Sequence, residues 1–370
     1  MEIIHIVLGK ANPNRMNGVN KVVYQLTTEQ VKAGRKVSIW GITKDLTHNF
    51  GERDFETQLF KAHKNPFSIC SKLRDAIVAK KGKAVFHLHG GWIPTFYGVS
   101  SVLAKVQIPF VYTPHGAYNT IAMRRSKILK KLYFQFFEKP LLKRAYKIHC
   151  IGESEVIGLE GIFPNKKSIL TPYGFNAPES TSPLIPKDEK LFIIGFVGRL
   201  DIYTKGLDLL LKAFKSFTPR NVEARLWIVG DSNQCKALKK EVANLNLEDK
   251  VILWGSKFGK DKDALMDQMD IFAHPSRNEG LPTSVLEASS MGIPCLVTYA
   301  TNVGHIIREY KCGISIENEN VAALKNGLVA LKKLWKNGRL SAVGQNARIM
   351  VQREFSWDHV VTEFDKLYEI

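Results

Sequence analysis

The chain has 370 residues, 45% of them hydrophobic, which is more than one ordinary core contains, so we expect two domains. No run of about 18 uninterrupted apolar residues could cross a membrane as a helix. The net charge is +18, with 29 Lys/Arg against 14 Asp/Glu in residues 1–190 and 24 against 21 in residues 191–370. The first half therefore carries nearly all of the electrostatic field.

The start of the chain, MEIIHIVLG, carries an acid where a signal peptide has basic residues, and it leads straight into a strand. We therefore expect no signal peptide and a cytoplasmic protein. The five cysteines are odd in number, scattered and mostly inside apolar runs, which predicts reduced core thiols rather than disulfides or metal ligands.

Short apolar runs alternate with helical patterns along the first half. The predicted strands are EIIHIVLG, RKVSIWG, AVFHLHG, PFVYTPHG, KIHCIG and SILTPYG. An amphipathic stretch over residues 19–33 predicts a helix that ends at Gly34, since glycine favours the position after a helix. Apolar strands that alternate with helices indicate a parallel sheet covered on both faces.

The second half repeats this arrangement. Its predicted strands are LFIIGFVGRL, ARLWIVGD, VILWGS, DIFAHPS, PCLVTY and CGISIE. Between the halves, residues 176–190 are rich in Pro, Ser and charge, which is typical of a linker. We therefore predict an α/β protein of two Rossmann-like doubly wound domains, residues 1–175 and 191–355, whose strand ends face a ligand-binding cleft. A final helix over residues 356–370 is expected to pack back on the N-terminal domain.

The segment RNEGLPTSVLEASSMGIP, residues 277–294, places two carboxylates between a strand and a helix. Pro282 suits the first position of that helix. Free backbone N–H groups at a helix N-terminus form an anion site, and here they belong to Gly280, Leu281 and Thr283. Glu287, about one turn into the helix, is placed to accept both hydroxyls of a ribose.

Glu279 precedes the helix and is placed to accept hydroxyls of whatever lies beyond the phosphates. The alternative interpretation is that Glu279 is a solvated loop acid and that Glu287 is an acid favoured near a helix N-terminus.

Other strand ends carry further candidates. In GFVGRLDIYTKGLDLLLKAF, residues 195–214, Arg199 and Lys205 follow a strand and form the usual cation pair for a diphosphate, unless they are ordinary surface cations. In the first half, Gly18 lies at the first strand-to-helix turn, where a phosphate can approach the backbone. His115 in TPHGAY could donate a hydrogen bond to a sugar hydroxyl or cap local structure, and His89 in HLHGGW is a weaker candidate.

These segments together resemble the family 4 retaining glycosyltransferases of the GT-B fold. The similarity covers nearly the whole chain. It comprises the glycine turn near the N-terminus, the strand ending in HGAY, the GES segment at residues 152–154, the GFVGRL…KGLDLL block, VGD at residues 229–231 and the Glu279–Glu287 pair, and the last two, in this order and spacing, are the most specific. The resemblance implies that Arg199 and Lys205 hold the donor diphosphate, that Glu287 binds the ribose and that Glu279 with the following amides binds the transferred sugar. By the same resemblance Gly18 meets the distal phosphate, His115 the outer sugar hydroxyls, and Ser256 and Lys257 lie near the base.

Two departures from the family pattern concern the phosphate contacts. Asn17 stands where the family often has a first glycine, and the RLDIYTK loop is one residue longer than its commonest form. The sequence DKD at residues 261–263 looks like a metal-binding Asp-x-Asp, but it starts a helix, so we predict an N-cap.

The resemblance further implies a hexosyltransferase that retains anomeric configuration, uses a nucleotide sugar that is UDP-linked by family habit, and needs no metal or cofactor. Fixed cations and helix amides would stabilise the departing phosphate. The acceptor would be a saccharide or lipid-linked saccharide in cell-surface polysaccharide or glycolipid synthesis. A nucleotide-sugar epimerase or phosphorylase-like enzyme of the same fold remains an alternative.

Residues 124–147 combine basic and aromatic side chains. Nine Lys/Arg stand against one acid, Glu138. Such segments lie on anionic membrane surfaces, and an enzyme bound at the inner face of the cytoplasmic membrane would reach a lipid-linked acceptor. The alternatives are a solvated helix and, because of the pI of 9.6, a nucleic-acid-binding protein, although no nucleic-acid module is recognised. The cations proposed for this surface are Arg124, Arg125, Lys127, Lys130 and Lys131.

Overall fold

The computed structural model describes residues 1–12, 18–118, 127–177 and 188–369. The chain divides into two compact units. Unit 1 comprises Met1–Gly174 together with Trp357–Ile370, and unit 2 comprises Phe175–Ser356. The predicted linker lies mostly outside the described residues. No helix among the described residues is both long and apolar enough to cross a bilayer.

Unit 1 contains a sheet of seven parallel strands in the order β3-β2-β1-β4-β5-β6-β7. The strands are β1 Glu2–Leu8, β2 Val37–Thr43, β3 Glu56–Lys61, β4 Ala84–His89, β5 Phe110–Thr113, β6 Lys147–Cys150 and β7 Ser168–Leu170. Its helices are α1 Gly18–Lys32, α2 Ser71–Ala79, α3 Pro94–Lys105, α4 Lys127–Tyr133, α5 Lys139–Arg144, α6 Glu153–Glu160 and α14 Trp357–Tyr368. A π-helical turn, Phe134–Glu138, joins α4 to α5.

Unit 2 contains six parallel strands in the order β10-β9-β8-β11-β12-β13. The strands are β8 Phe192–Val197, β9 Ala224–Val229, β10 Val251–Gly255, β11 Ile271–His274, β12 Cys295–Thr298 and β13 Gly313–Ile316. Its helices are α7 Leu207–Phe217, α8 Cys235–Asn244, α9 Gly259–Asp267, α10 Thr283–Ser290, α11 Gly304–Glu309, α12 Val321–Lys336 and α13 Leu340–Glu354. The prediction of two doubly wound α/β domains is confirmed.

Each predicted strand is present, and the structure adds β3, which the sequence pattern did not reveal. β3 is an edge strand of sequence ETQLFK in which Phe60 alone is buried, so it lacks the apolar run typical of a strand buried on both faces. α1 ends at Lys32 and Gly34 adopts a φ of +76°, as the glycine predicted. The five cysteines form no disulfide among the described residues.

The two faces of the unit 1 sheet differ in chemistry. Successive residues of a strand point to opposite faces, and one face is apolar, with Ile4 and Ile6 of β1 beside Phe86 and Leu88 of β4. The other face carries buried imidazoles, which α1 and α14 cover. We call these residues the histidine layer: His5, His87, His89, His115 and His149.

Burial lowers the pKa of every imidazole in the histidine layer, because the charged form loses its water. The pKa falls to about 4 for His5 and His149 and to about 3 for His115, and those of His87 and His89 lie well below the usual value. Burial acts in the opposite sense on two carboxyls of unit 1, and raises the pKa of Glu138 and Glu155 to about 7.

These shifts predict that unit 1 loses stability as pH falls from 6.5 towards 4. In that window the unfolded chain protonates five layer imidazoles that stay neutral when folded, while the folded state gains only the two carboxyl protons. A difference of two to three protons lowers the free energy of unfolding by about 3 kcal/mol per pH unit. Urea denaturation at pH 7.5, 6.0 and 5.0, with hydrogen exchange to locate the loss in unit 1, tests this. Equal midpoints at the three pH values would contradict it.

Candidate active site

The strongest candidate site lies where the strand order of unit 2 reverses. β8 and β11 are neighbours in the sheet but not in sequence, and crevices at such points bind ligands in doubly wound folds. Because the strands are parallel, the loop after β8 and the loop after β11 leave the same edge of the sheet. Lys205 lies on the first loop and Glu279 on the second.

One oxygen of Glu279 is held by neighbouring donors. Lys205 Nζ lies 2.5 Å and His274 Nε2 lies 2.8 Å from Oε1. The Ser276 hydroxyl, 3.0 Å from the same oxygen, lies closer to the carbonyl of Thr204, at 2.7 Å. No described residue donates to Oε2. The carboxylate is therefore fixed through one oxygen and has the other available for a ligand.

These contacts also set the protonation state of Glu279. Its side chain is only 10% exposed, and burial alone would raise its pKa. The hydrogen bond and charge of His274 and the charge of Lys205 outweigh burial and lower the pKa to about 2. Glu279 is therefore ionised at neutral pH, and it accepts hydrogen bonds rather than donating a proton.

The backbone of the Glu279 loop is held from two sides. Asn302, after β12, donates from Nδ2 to the carbonyls of Glu279 and Gly280, at 2.6 and 2.9 Å. Arg277 binds both carboxylate oxygens of Asp208 in α7, at 2.7 and 2.8 Å, which raises the pKa of the guanidinium. The loop is thus tied to the elements on either side of it.

Glu287 occupies the helix that follows this loop. α10 begins at Thr283, and Pro282 is its N-cap rather than its first helical residue, because the φ and ψ of Pro282, −80° and 85°, are not helical. Glu287 Oε2 lies 2.7 Å from Lys262 Nζ, so its carboxylate is already oriented by a cation.

The predicted N-cap at DKD is wrong. α9 begins at Gly259 with Phe258 as N-cap, so Asp261 lies inside the first turn. Asp263 pairs with Lys262 at 3.5 Å. The middle lysine of DKD is thus the residue that reaches the candidate site.

The remaining predicted residues of unit 2 are more open. The Arg199 side chain is 71% exposed and its guanidinium lies 3.6 Å from Asp201. Unlike Lys205, it therefore does not pair with Glu279. Ser256 is exposed and Lys257 half-buried after β10. Thr283 begins α10, whereas Gly280 and Leu281 lie in the loop before its N-cap, Pro282.

In unit 1, the candidates follow β1, β4 and β5, and the strand order reverses between β1 and β4. Gly18 is exposed and begins α1, while Asn17 lies outside the described residues. His115 follows β5 with a left-handed φ of +55°. Its Nε2 lies 3.1 Å from Nδ1 of His89, which ends β4. The two histidines predicted separately therefore act as a pair.

Sequence reasoning missed three residues that position these groups. His274 ends β11 and stacks between the rings of Phe196 and Phe272. Lys262 binds Glu287. Glu155, buried at the start of α6, accepts hydrogen bonds from the amides of Gly116, Ala117 and Tyr118, the residues after His115. The GES segment at residues 152–154 was the available signal near Glu155.

The basic segment has a more varied environment than its sequence suggests. Arg124 and Arg125 lie outside the described residues, as does the side chain of Lys127, whose backbone begins α4. Lys131 is exposed, whereas Lys130 Nζ lies over the Trp92 ring, 5.4 Å from its centre. Glu138 is buried and accepts hydrogen bonds from the hydroxyls of Tyr112 and Tyr118.

Two family models match the chain, one in each half. The model described as Glycosyltransferase Family 4 matches residues 16–172, and the model described as Glycosyl transferases group 1 matches residues 179–350. Together they span most of the chain.

Individual proteins agree with these matches. The UDP-Gal:alpha-D-GlcNAc-diphosphoundecaprenol alpha-1,3-galactosyltransferase of Escherichia coli is 25% identical over 309 residues, 80% of this chain and 76% of that protein. An uncharacterized glycosyltransferase of Methanocaldococcus jannaschii is 28% identical over 186 residues, and the match spans only 46% of its length. The structure of Anabaena HepE in complex with UDP-glucose aligns over 100% of both chains with a TM-score of 0.68 and 15% identity.

Gly206 links the Lys205 loop to the Glu279 loop, and we predict that Gly206→Ala disturbs the site. Gly206 has a φ of +67°, and a Cβ there would lie 2.0 Å from the carbonyl oxygen of Pro275. Left-handed strain costs about 1–2 kcal/mol and overpacking about 1–3 kcal/mol more. We expect the free energy of unfolding to fall by about 2–5 kcal/mol in chemical denaturation.

Gly338→Ala is the matched control. Gly338 has a φ of +64° with nothing within 4 Å of its Cβ position, so it carries the strain without the clash. Equal losses in the two variants would show that the approach of the two loops is not a constraint.

Proposed function

Because the chain belongs to the family 4 glycosyltransferases of the GT-B fold, we propose that it transfers a hexose from a UDP-sugar to a saccharide or lipid-linked saccharide, with retention of anomeric configuration and without a metal. The product would enter cell-surface polysaccharide or glycolipid synthesis. The observation that carries this proposal is the carboxylate of Glu279, which is ionised, fixed through one oxygen and open at the other.

The donor assignment draws on chemistry and on similar proteins. HepE binds UDP-glucose, and the galactosyltransferase of E. coli is named for a UDP-galactose donor. In this chain Oε2 of Glu279 would accept hydroxyls of the transferred sugar, and Glu287, oriented by Lys262, would accept the ribose hydroxyls. Arg199 and Lys205, with the amides before α10, would neutralise the diphosphate.

The protonation state of Glu279 limits its role in the mechanism. A general base works best with a pKa near the working pH, and a carboxyl with a pKa of about 2 holds a proton too weakly for that task. In the proposed mechanism the departing phosphate, on the same face of the sugar, takes the proton of the acceptor hydroxyl. Glu279 then acts by holding the sugar while charge develops on the phosphate.

We expect Glu279→Ala to lower kcat by about 10²–10³-fold, because it removes an interaction that positions the reacting sugar. Glu287→Ala is expected chiefly to raise the donor KM, because the ribose lies away from the reacting carbon. Initial rates with UDP-glucose and UDP-galactose, measured with and without EDTA, give both constants.

The exposed Glu248 supplies a control, since Glu248→Ala should leave both constants unchanged. Wild-type turnover in both site variants would refute the assignment, and loss of activity in EDTA would refute metal independence. Donor incubated alone should hydrolyse only slowly, whereas isomerised or phosphorolysed sugar would identify one of the alternative enzymes.

We also propose that the basic segment docks on an anionic membrane surface, where a lipid-linked acceptor would lie. The acceptor named for the galactosyltransferase of E. coli carries a diphosphoundecaprenol lipid. Leu132 and Phe136 are 55% and 64% exposed, and they lie four residues apart on the continuous helical segment of α4, the π-helical turn and α5. Lys131 is exposed beside them. Apolar side chains with flanking cations are typical of interfacial helices.

The double variant Leu132→Ser/Phe136→Ser should float at least tenfold less with vesicles that contain anionic lipid, because two side chains lose their burial in the bilayer. Little stability should be lost, since both residues are exposed. Val222→Ser, at a residue of unit 2 that is 68% exposed, is the control. Unchanged flotation of the double variant would contradict membrane docking by this segment.

A further inference from the structure

The histidine layer is joined into one hydrogen-bonded chain that includes polar side chains from α1 and α14. We propose that this chain holds His115 as the neutral tautomer with its hydrogen on Nε2, so that the bare Nδ1 accepts a hydrogen bond from a substrate hydroxyl. Tyr368 of α14, far along the sequence, is then a positioning residue for His115. The substrate contact rests on the proposed function, whereas the tautomer does not.

A backbone carbonyl at one end of this hydrogen-bonded chain sets the direction in which its hydrogen bonds are donated. His149 Nε2 lies 2.7 Å from the carbonyl oxygen of Thr171, which can only accept, so this nitrogen carries the hydrogen. The Nδ1 of His149 is then bare, and the Thr113 hydroxyl at 2.8 Å must donate to it. The Thr113 hydroxyl donates its one hydrogen to His149, so His87 Nε2, 2.6 Å away, must donate to the Thr113 oxygen.

The same reasoning continues through α14 and α1. The Nδ1 of His87 is bare and accepts from the Tyr368 hydroxyl at 2.8 Å. Tyr368 has no second hydrogen, so Gln30 turns its amide NH₂ to the Tyr368 oxygen, at 3.4 Å. This orientation points the amide oxygen of Gln30 at His5 Nε2, 2.7 Å away, which must therefore be protonated.

Three imidazoles complete the chain. The Nδ1 of His5 is bare and accepts from His89 Nε2 at 2.8 Å. The Nδ1 of His89 is then bare and accepts from His115 Nε2 at 3.1 Å. The Tyr173 oxygen, 3.4 Å from the same nitrogen, can share that hydrogen. No described residue donates to Nδ1 of His115, which remains an open acceptor.

The opposite direction would leave a buried lone pair unsatisfied. If each hydrogen moved to the other side of its bond, the bare Nε2 of His149 would face the Thr171 carbonyl oxygen at 2.7 Å. Unsatisfied buried polar atoms cost free energy and are rare. Extra protons would relax this constraint, but burial lowers the pKa of each layer imidazole, so the neutral forms hold at neutral pH.

A metal site formed by three of its imidazoles is an alternative interpretation of part of the histidine layer. His5, His87 and His89 each have a nitrogen within 4.8 Å of the others, which is close enough for one ion. A metal needs bare nitrogens, however, and the contact between His5 Nδ1 and His89 Nε2 requires a hydrogen between them. Both nitrogens of His87 are also engaged, by Tyr368 and Thr113.

The tautomer has a consequence for substrate choice. A bare imidazole nitrogen accepts from a hydroxyl but gains nothing from a fluorine, an ether oxygen or a carbonyl, all of which lack the hydrogen. His115 would therefore favour a sugar hydroxyl over its deoxyfluoro analogue by about 2- to 10-fold in kcat/KM, the range for one neutral hydrogen bond. This reverses the role expected from the sequence, in which His115 donates.

Nitrogen-15 NMR of the full-length protein labelled at histidine tests the proposal directly. We expect the His115 resonances at neutral pH to show a protonated Nε2 and an unprotonated Nδ1. In Tyr368→Phe the link between Gln30 and His87 is lost, the amide of Gln30 can turn over, and His115 should show a mixture of tautomers. The preference for a sugar hydroxyl over its deoxyfluoro analogue should shrink in the same variant.

Phe364→Leu is the control, because Phe364 contacts the rings of His87 and His149 from α14 without a hydrogen bond. It should lower stability and leave the His115 tautomer unchanged. Hydrogen on Nδ1 of wild-type His115, loss of the His89 Nε2 hydrogen on addition of Zn²⁺, or an unchanged tautomer in Tyr368→Phe would each overturn the proposal. If the tautomer is as expected but UDP-sugars neither bind nor react, the proposed function fails instead.

Discussion

The ion pair between Lys205 and Glu279 depends on the parallel pairing of β8 with β11. Seventy-four residues separate the two side chains in sequence, and they meet because neighbouring parallel strands release their loops at one edge of the sheet. In unit 1, the same rule brings the ends of β4 and β5 together, and with them His89 and His115. Both pairs of side chains thus meet because neighbouring parallel strands end at the same edge of their sheet, whether the two strands are consecutive in sequence, as β4 and β5 are, or not, as with β8 and β11.

Much of the fold was predictable because parallel strands buried on both faces appear in the sequence as apolar runs. The exception, β3, shows the limit: ETQLFK pairs only with β2, so its polar residues remain partly exposed and no apolar run forms. The start of α10 was predicted one residue early, because proline suits the first turn of a helix and the position just before it. A boundary of this kind is set by backbone angles that sequence constrains only loosely.

Sequence reasoning found the site residues whose local sequence pattern is unusual and missed those in common patterns. A glutamate followed by Gly-Leu-Pro between a strand and a helix indicates a functional residue, and the pKa of Glu279 is indeed strongly lowered. A histidine that ends an apolar strand does not, so His274 became visible only when β11 placed it against the Glu279 carboxylate. The role of Lys262 was missed because the DKD triplet was interpreted through its aspartates, whereas the structure shows its lysine bound to Glu287.

The histidine layer shows why a single strand cannot reveal a buried polar network. In IIHIV, VFHLHG and KIHCIG the imidazoles alternate with apolar residues, which is compatible with a strand that faces solvent on one side. Only the pairing of His5 with His87, and of His89 with Thr113, brings them side by side. Their remaining partners come from helices near the two ends of the chain, Gln30 in α1 and Tyr368 in α14.

This arrangement has a consequence for how unit 1 is completed. The chain leaves unit 1 at Gly174 and returns at Trp357, whose ring packs so closely that a Cβ on Gly174 would lie 2.3 Å from it. α14 is therefore added only after all of unit 2 has been synthesised. Until Tyr368 arrives, the Nδ1 of His87 lacks its donor and the amide of Gln30 lacks the contact that orients it. A buried polar network specifies one arrangement only when every member is satisfied. The last helix thus closes the core of unit 1 and gives the imidazoles of its histidine layer a single hydrogen-bonding direction.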